Sequence, residues 1–304
     1  MEPDAPFRFA HLSDPHLTSP ASVRFARLMG KRFLGYLSWR IRRKYRHRRE
    51  MLDLLVEDLR AFTPDHIVIT GDLTHLGLAT EFQQARAWLQ SLGSGKDVTV
   101  VPGNHDIYAE DSRHRVEYWS DYMSADDRAR SGFPFVRVRH PVAFVGVNSG
   151  DVSPPFFATG CVGQDQLECL EAILDDLANQ NLCRVVLVHH SPVEGQERWR
   201  KRLIDANALA QVLARKGAEL VLHGHGHRVR LSSLGAHESG IPVLSAASAS
   251  SVHPSTEKSA AYHRIEIRPQ DPGFHIQIET RVCLPDGEVK GNRREFVLGS
   301  TSAN

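Results

Sequence analysis

Carboxylate, imidazole and amide side chains recur in five short stretches of this chain: Asp14-Pro15-His16, Gly71-Asp72, Gly103-Asn104-His105-Asp106, His189-His190-Ser191-Pro192 and Gly224-His225-Gly226-His227. Oxygen and nitrogen donors without thiolate suit Mn, Fe or Zn better than the all-oxygen sites of Mg and Ca. Any one stretch alone reads equally as a turn with a polar cap. Together they point to a metal centre. The side chains of Asp14, His16, Asp72, Asn104, His189, His225 and His227 outnumber the needs of one ion, whereas two ions about 3.5–4 Å apart sharing a carboxylate would engage them all.

The elements that must position these groups are visible as short apolar runs. Phe7–Ser13, His66–Thr70, Asp97–Val101, Val185–Val188 and Glu219–Leu222 each read as a buried strand that ends at one of the polar stretches. Pro and Gly then break the strand or permit a tight turn, so the polar groups emerge at the C-terminal edge, where open α/β sheets bind ligands. Helices are expected over Met51–Phe62, with Leu52, Leu55, Val56 and Leu59 on one face, over Glu81–Leu92, over Gln164–Asn179 and around Leu209–Leu213. Further strands are expected at Phe133–Val138 and Val142–Val147. Residues Ile107–Arg130 read as helical, with Tyr108, Tyr118, Trp119 and Tyr122 placed to line a pocket rim. A C-terminal β meander occupies residues 243–298, on the period-2 pattern of His263–Ile267 and His275–Ile278. Gly93-Ser94-Gly95-Lys96 glances at a phosphate-binding loop, but Gln90 and Asp97 stand where Gly and Ser or Thr are required. It reads as a loop turn.

The 304 residues, 41% of them hydrophobic, can bury a large core, and no linker-like or repetitive tract divides them. One domain spanning 1–304 is expected. The four cysteines, Cys161, Cys169, Cys183 and Cys283, form no CxxC pair, which suggests a reducing compartment and no structural zinc. No apolar run reaches transmembrane length and no signal-peptide core precedes Phe7, so a cytoplasmic protein is expected. The net charge of +1 hides an asymmetry: the eleven basic residues between Arg24 and Arg49 face no acidic ones, leaving 26 basic against 36 acidic residues elsewhere. Within this segment, about residues 20–49, Phe25, Leu28, Met29, Phe33, Tyr36, Leu37, Ile41 and Tyr45 recur at near-helical spacing between cations. Gly30 and Gly35 weaken the segment as one continuous helix, so a helix, break, helix arrangement fits equally well. A packed helix pair with a solvated basic face, a contact with an anionic lipid surface through residues 24–49, and a nucleic-acid interface all fit this pattern, the last least well.

Taken in order, Asp14-x-His16, Gly71-Asp72, Gly103-Asn104-His105-Asp106, His189 and Gly224-His225-x-His227 resemble the motifs of the calcineurin-like binuclear metallophosphoesterases. The resemblance implies an α/β fold, a four-layer α/β/β/α sandwich with two mixed sheets and two divalent or mixed-valence ions (Mn, Fe or Zn) at the strand ends. It implies Asp14, His16 and His227 on the first ion, Asn104, His189 and His225 on the second, and Asp72 bridging. A hydroxide shared by the ions would attack a phosphoester or pyrophosphate bond in line. His105, held by Asp106, would contact the phosphate or protonate the leaving oxygen. His190, His223, His11, His75 and His253 fall off the pattern. The basic aromatic segment favours a lipid-linked substrate such as UDP-2,3-diacylglucosamine, with peripheral contact at the inner face of the membrane. A 3',5'-cyclic-nucleotide phosphodiesterase and a non-catalytic scaffold with the same fold are the alternatives.

Overall fold

The computed structural model describes residues 5–17, 30–41, 43–126, 132–235 and 240–298. The early part of the basic segment, residues 18–29, therefore lies outside the described residues, and with it the helical reading of Phe25, Leu28 and Met29.

Two mixed six-stranded sheets carry the architecture. The first runs β12-β11-β10-β1-β2-β3 and comprises β1 (Phe7–Leu12), β2 (His66–Ile69), β3 (Val98–Val100), β10 (Ala261–Pro269), β11 (Phe274–Cys283) and β12 (Val289–Leu298). β1, β2 and β3 pair in parallel, and β10, β11 and β12 form the antiparallel meander that docks on β1, with Phe9 opposite Ile265. The second sheet runs β4-β5-β6-β7-β9-β8: β4 (Phe135–Arg139), β5 (Val142–Gly146), β6 (Cys183–Leu187), β7 (Leu220–His223), β8 (Arg230–Leu234) and β9 (Ile241–Ser245). The expected start of the meander at Val243 is corrected here. Ile241–Ser245 joins β7 in parallel in the second sheet, because its side chains are buried on both faces and need helix cover that the meander does not provide.

The sheets face each other across one core. Phe9 of β1 meets Phe144 of β5 edge to face at 5.1 Å, and His66 of β2 stacks on the same ring at 4.9 Å. α2 (Arg49–Phe62) and α3 (Ala79–Leu92) add Leu52, Leu55, Leu59, Phe82 and Leu89 to this core. The opposite face of the second sheet, with Val145, Val186 and Val221, is covered by Leu170 and Leu174 of α4 (Gln164–Ala178) and by Leu209 and Leu213 of α5 (Ala206–Lys216). Each such leucine contributes about 1.5–3 kcal/mol of apolar burial.

Residues Glu110–Tyr122 form 3-10 turns. Trp119 and Tyr122 are core residues, contrary to the rim expected of them: Trp119 stacks on Phe82 at 4.5 Å with its indole N–H on the Phe82 carbonyl, and the Tyr122 hydroxyl donates to the Gly93 carbonyl. Large rings facing α3 gain more from burial than from lining a wet rim.

The basic segment folds against the site edge. α1 (Lys31–Ile41) begins after Gly30, whose φ of 59° makes the turn, and Gly35 lets the helix approach closely enough that a Cβ there would strike the Tyr108 hydroxyl. Gly35 thus serves packing, not a helix break. Arg32 locks the arrangement, donating to the carbonyls of Leu76 and Gly77 and pairing with Asp111 at 2.6 Å.

Candidate metal centre

The five strand ends deliver their polar side chains to one place. Asp14 and His16 follow β1, Asp72 follows β2, Asn104 follows β3, His189 follows β6, and His225 and His227 follow β7. Asp14, His16, Asp72 and His227 offer ligand atoms all within 4.8 Å of one another, and so do His189, His190 and His225. The backbone is strained here. Asp14, His16, Asp72, His225 and His227 have positive φ, between 43° and 64°, and make up five of the eight non-glycine residues so disposed among the described residues. Such conformations cost of order 1–3 kcal/mol each and persist where the surroundings over-determine them. Three glycines provide the room: a Cβ on Gly103 would strike the Asp72 carboxylate, one on Gly224 would strike Ser13, and one on Gly71 would lie 2.8 Å from His189 Nδ1.

Backbone carbonyls fix the imidazoles. His16 Nδ1 donates to the Thr74 carbonyl at 2.9 Å and His189 Nδ1 to the Thr70 carbonyl at 2.6 Å, which leaves both Nε2 atoms facing the cluster. His16 Nε2 lies 3.5 Å from His227 Nε2, which is 2.9 Å from Asp14 Oδ1. His189 Nε2 lies 3.3 Å from Asn104 Oδ1 and 3.4 Å from Asp72 Oδ2. Imidazole nitrogens, carboxylates and an amide oxygen crowded together at 2.9–3.5 Å call for a cation. The electrostatics agree: burial depresses the His189 imidazole, but Asp72 and then Asp14 outweigh it and lift it to about 9. His16 is driven well below the ordinary range by burial and by the imidazoles of His47, His75 and His105, so it is neutral and competent to ligate. His225 Nε2 is buried with no hydrogen-bond partner, an orphan that a metal would satisfy. The donor set therefore fits two divalent ions.

Two sequence expectations change. Asp106 does not hold the His105 ring. Its carboxylate accepts from the backbone N–H groups of Asp72 at 2.8 Å, Gly103 at 3.0 Å and Thr74 at 3.0 Å, tying the loops after β2 and β3 together. A buried carboxylate is best satisfied by several fixed amides, and the loop supplies them. His105 is held by others: Nδ1 donates to the His75 carbonyl at 2.6 Å, Nε2 lies 2.7 Å from Arg43 Nη1, and Tyr108 stacks on the ring at 5.4 Å. Burial, then Arg43, depresses its pKa to about 3.

Arg43, His47, His75 and Glu81 are the residues that sequence reasoning missed. His47 hydrogen-bonds Ser250 Oγ through Nδ1 at 3.0 Å and stands with His16 and His227 in a third group of potential ligands. The His75 ring stacks on His16 at 4.8 Å. Glu81 holds the loop that carries His75, its carboxylate accepting from the N–H groups of His75, Leu76 and Leu78. The one local signal was a histidine inside a run of arginines and lysines.

Residues 7–229 match the family model for calcineurin-like phosphoesterases. The chain belongs to that family, whose members are metal-dependent phosphoesterases. Among solved structures, a dimetal phosphatase from the zebrafish Danio rerio is 16% identical, with 98% of this chain and 100% of that one covered at a TM-score of 0.64. A purple acid phosphatase from yellow lupin, Lupinus luteus, is 13% identical over 97% of this chain and 54% of its own, at 0.63. GAP50 of Plasmodium, described as the anchor in the inner membrane complex, is 10% identical over 98% of this chain and 90% of its own, at 0.54. No curated protein sequence matches the chain. No helix of the described residues is long and apolar enough to cross a membrane.

Proposed function

We propose that this chain hydrolyses a phosphodiester or pyrophosphate bond in a lipid-linked substrate such as UDP-2,3-diacylglucosamine. In this reading Asp14, His16 and His227 would hold one divalent ion, Asn104, His189 and His225 would hold a second, and Asp72 would serve both. Ions so placed supply Lewis acidity toward phosphoryl oxygens and a nucleophile at neutral pH. The protein's part is preorganisation: the Thr70 and Thr74 carbonyls present the Nε2 atoms of His189 and His16, and Asp106 fixes the loops that carry Asp72 and Asn104.

A single observation supports the substrate class. A cavity of about 570 Å³ opens beside His16 and is walled by Trp39, Tyr45 and His47 together with Lys44, Arg48 and Arg49. Aromatic and cationic groups side by side suit a phosphorylated head group attached to an apolar body. Outside the cavity α1 exposes Phe33 at 47% and Ile41 at 60%, a surface suited to an anionic membrane face. A cyclic nucleotide would leave this wall without a role.

The test is hydrolysis by Mn-loaded protein of UDP-2,3-diacylglucosamine, glycerophosphodiesters, cyclic AMP and bis(p-nitrophenyl) phosphate. Preference for the acylated substrate by at least tenfold in kcat/KM is the expected result. Preference for cyclic AMP would replace the lipid reading with a nucleotide phosphodiesterase. Protein that retains no stoichiometric metal and cleaves nothing would favour the scaffold reading, to which the likeness to an anchoring protein lends its support.

A further inference from the structure

We propose that Arg43, delivered by the basic segment, is the residue that donates to the scissile phosphoryl group, and that His105 is a positioning residue that aims it. This rests on the phosphoester-hydrolase reading above. The hydrogen-bond directions carry the argument. The His75 carbonyl can only accept, so the short contact from His105 Nδ1 places the ring proton on Nδ1 and leaves a lone pair on Nε2. A guanidinium can only donate, and Arg43 Nη1 lies 2.7 Å from Nε2 and 3.5 Å from Nδ1, against the Nε2 side of the ring. With its proton committed to the His75 carbonyl, the His105 ring has none on Nε2 to offer the metal cluster. The ring is also wedged, with Tyr108 stacked at 5.4 Å and His16 edge-on at 5.1 Å.

Arg43 is in the opposite condition. The His105 ring is its one hydrogen-bonding partner among the described residues, and no described carboxylate lies within ion-pair distance of it, so most of its five N–H donors are uncommitted. Its backbone is anchored nonetheless. The Arg43 carbonyl accepts from the N–H groups of Arg46 and His47, and the chain next pairs with the loop after β9 through Arg48 N–H on the Ser250 carbonyl and Val252 N–H on the Arg46 carbonyl. A guanidinium with no carboxylate partner among the described residues, carried on an anchored backbone and resting on a ring beside His16, is a site for an oxyanion, and the planar fork matches phosphate geometry. The ligand class is a phosphoryl group held at the metal cluster.

The experiment is calorimetric titration of inorganic phosphate into Mn-loaded wild type, Arg43→Ala, Arg43→Lys, His105→Asn and the Arg43→Ala/His105→Asn double variant. Metal content and thermal midpoint are measured on each. Loss of charge-assisted hydrogen bonds predicts phosphate binding weakened about 10–100-fold in Arg43→Ala at unchanged metal content, with partial recovery in Arg43→Lys. His105→Asn is expected to lose less, and the double variant no more than Arg43→Ala. The kcat of Arg43→Ala on bis(p-nitrophenyl) phosphate also falls, although p-nitrophenolate needs no proton to leave. Phosphate binding unchanged in Arg43→Ala, or weakened more by His105→Asn than by Arg43→Ala, overturns the assignment and leaves the hydrolase reading standing. Wild type that binds Mn but neither binds phosphate nor cleaves the ester overturns both.

Discussion

The cleft has two unlike walls. The strand-end wall is strained and over-determined: five non-glycine residues in left-handed backbone, glycines with no space for a Cβ, and imidazoles oriented by main-chain carbonyls. The wall formed by α1 and the turn after it is tied down at a few points, through Gly35 against Tyr108 and Arg32 on Leu76, Gly77 and Asp111, while its outer side exposes apolar surface. The first wall sets donor positions in a way that any phosphoester can use. On the reading proposed above, the second would distinguish one substrate from another. Chemistry and selectivity would then fall to two differently built regions.

The largest effect should come from breaking the rigid wall. Asp72→Ala removes the carboxylate proposed above to bridge the two ions, and hydrolysis of every substrate is expected to fall to background with loss of bound Mn measured by elemental analysis. Full activity with full metal content would reverse the roles assigned to the two walls.

A second effect, on stability, is confined to the region between the sheets. His66 is buried, accepts from or donates to Thr99 Oγ1 at 2.7 Å, and is held neutral by burial and then by Arg139 and Arg137, its pKa lowered to about 3. The unfolded chain binds a proton near pH 6.5 and the folded one does not until about 3. Stability from this site is therefore complete above pH 6.5 and declines as the pH falls toward 3, by about 1.4 kcal/mol per pH unit. Denaturant unfolding of wild type and His66→Gln at several pH values should show a slope shallower by one proton in the variant.

The smallest effect belongs to the outer wall. Ile41→Ser and Phe33→Ser remove exposed apolar groups, and their partition onto anionic phospholipid vesicles is expected to weaken by a few-fold each, with hydrolysis of bis(p-nitrophenyl) phosphate unchanged. Vesicle binding by wild type that is absent, or equal in both variants, would remove the membrane contact from this wall.

Much of the frame was legible because its cues are local. An apolar run stopped by Pro or Gly announces a buried strand and its polar end, and each expected ligand lies at such an end. β8 was not read as a strand and β9 was joined to the meander, since a run of five residues does not show which sheet it enters. Trp119 and Tyr122 were misplaced because an aromatic residue in a polar stretch does not declare which side it buries.

The sequence by itself determined the donor set and its order, since strand ends and tight turns depend on neighbours in the chain. Only the tertiary structure decided what faces those donors. Arg43 reaches His105 across 62 residues, Arg32 reaches Leu76 across 44, and Asp106 binds the Asp72 and Thr74 amides across 34 and 32. Whether a cation in a basic run points to solvent or into a cleft depends on such contacts between distant segments, which no periodicity encodes.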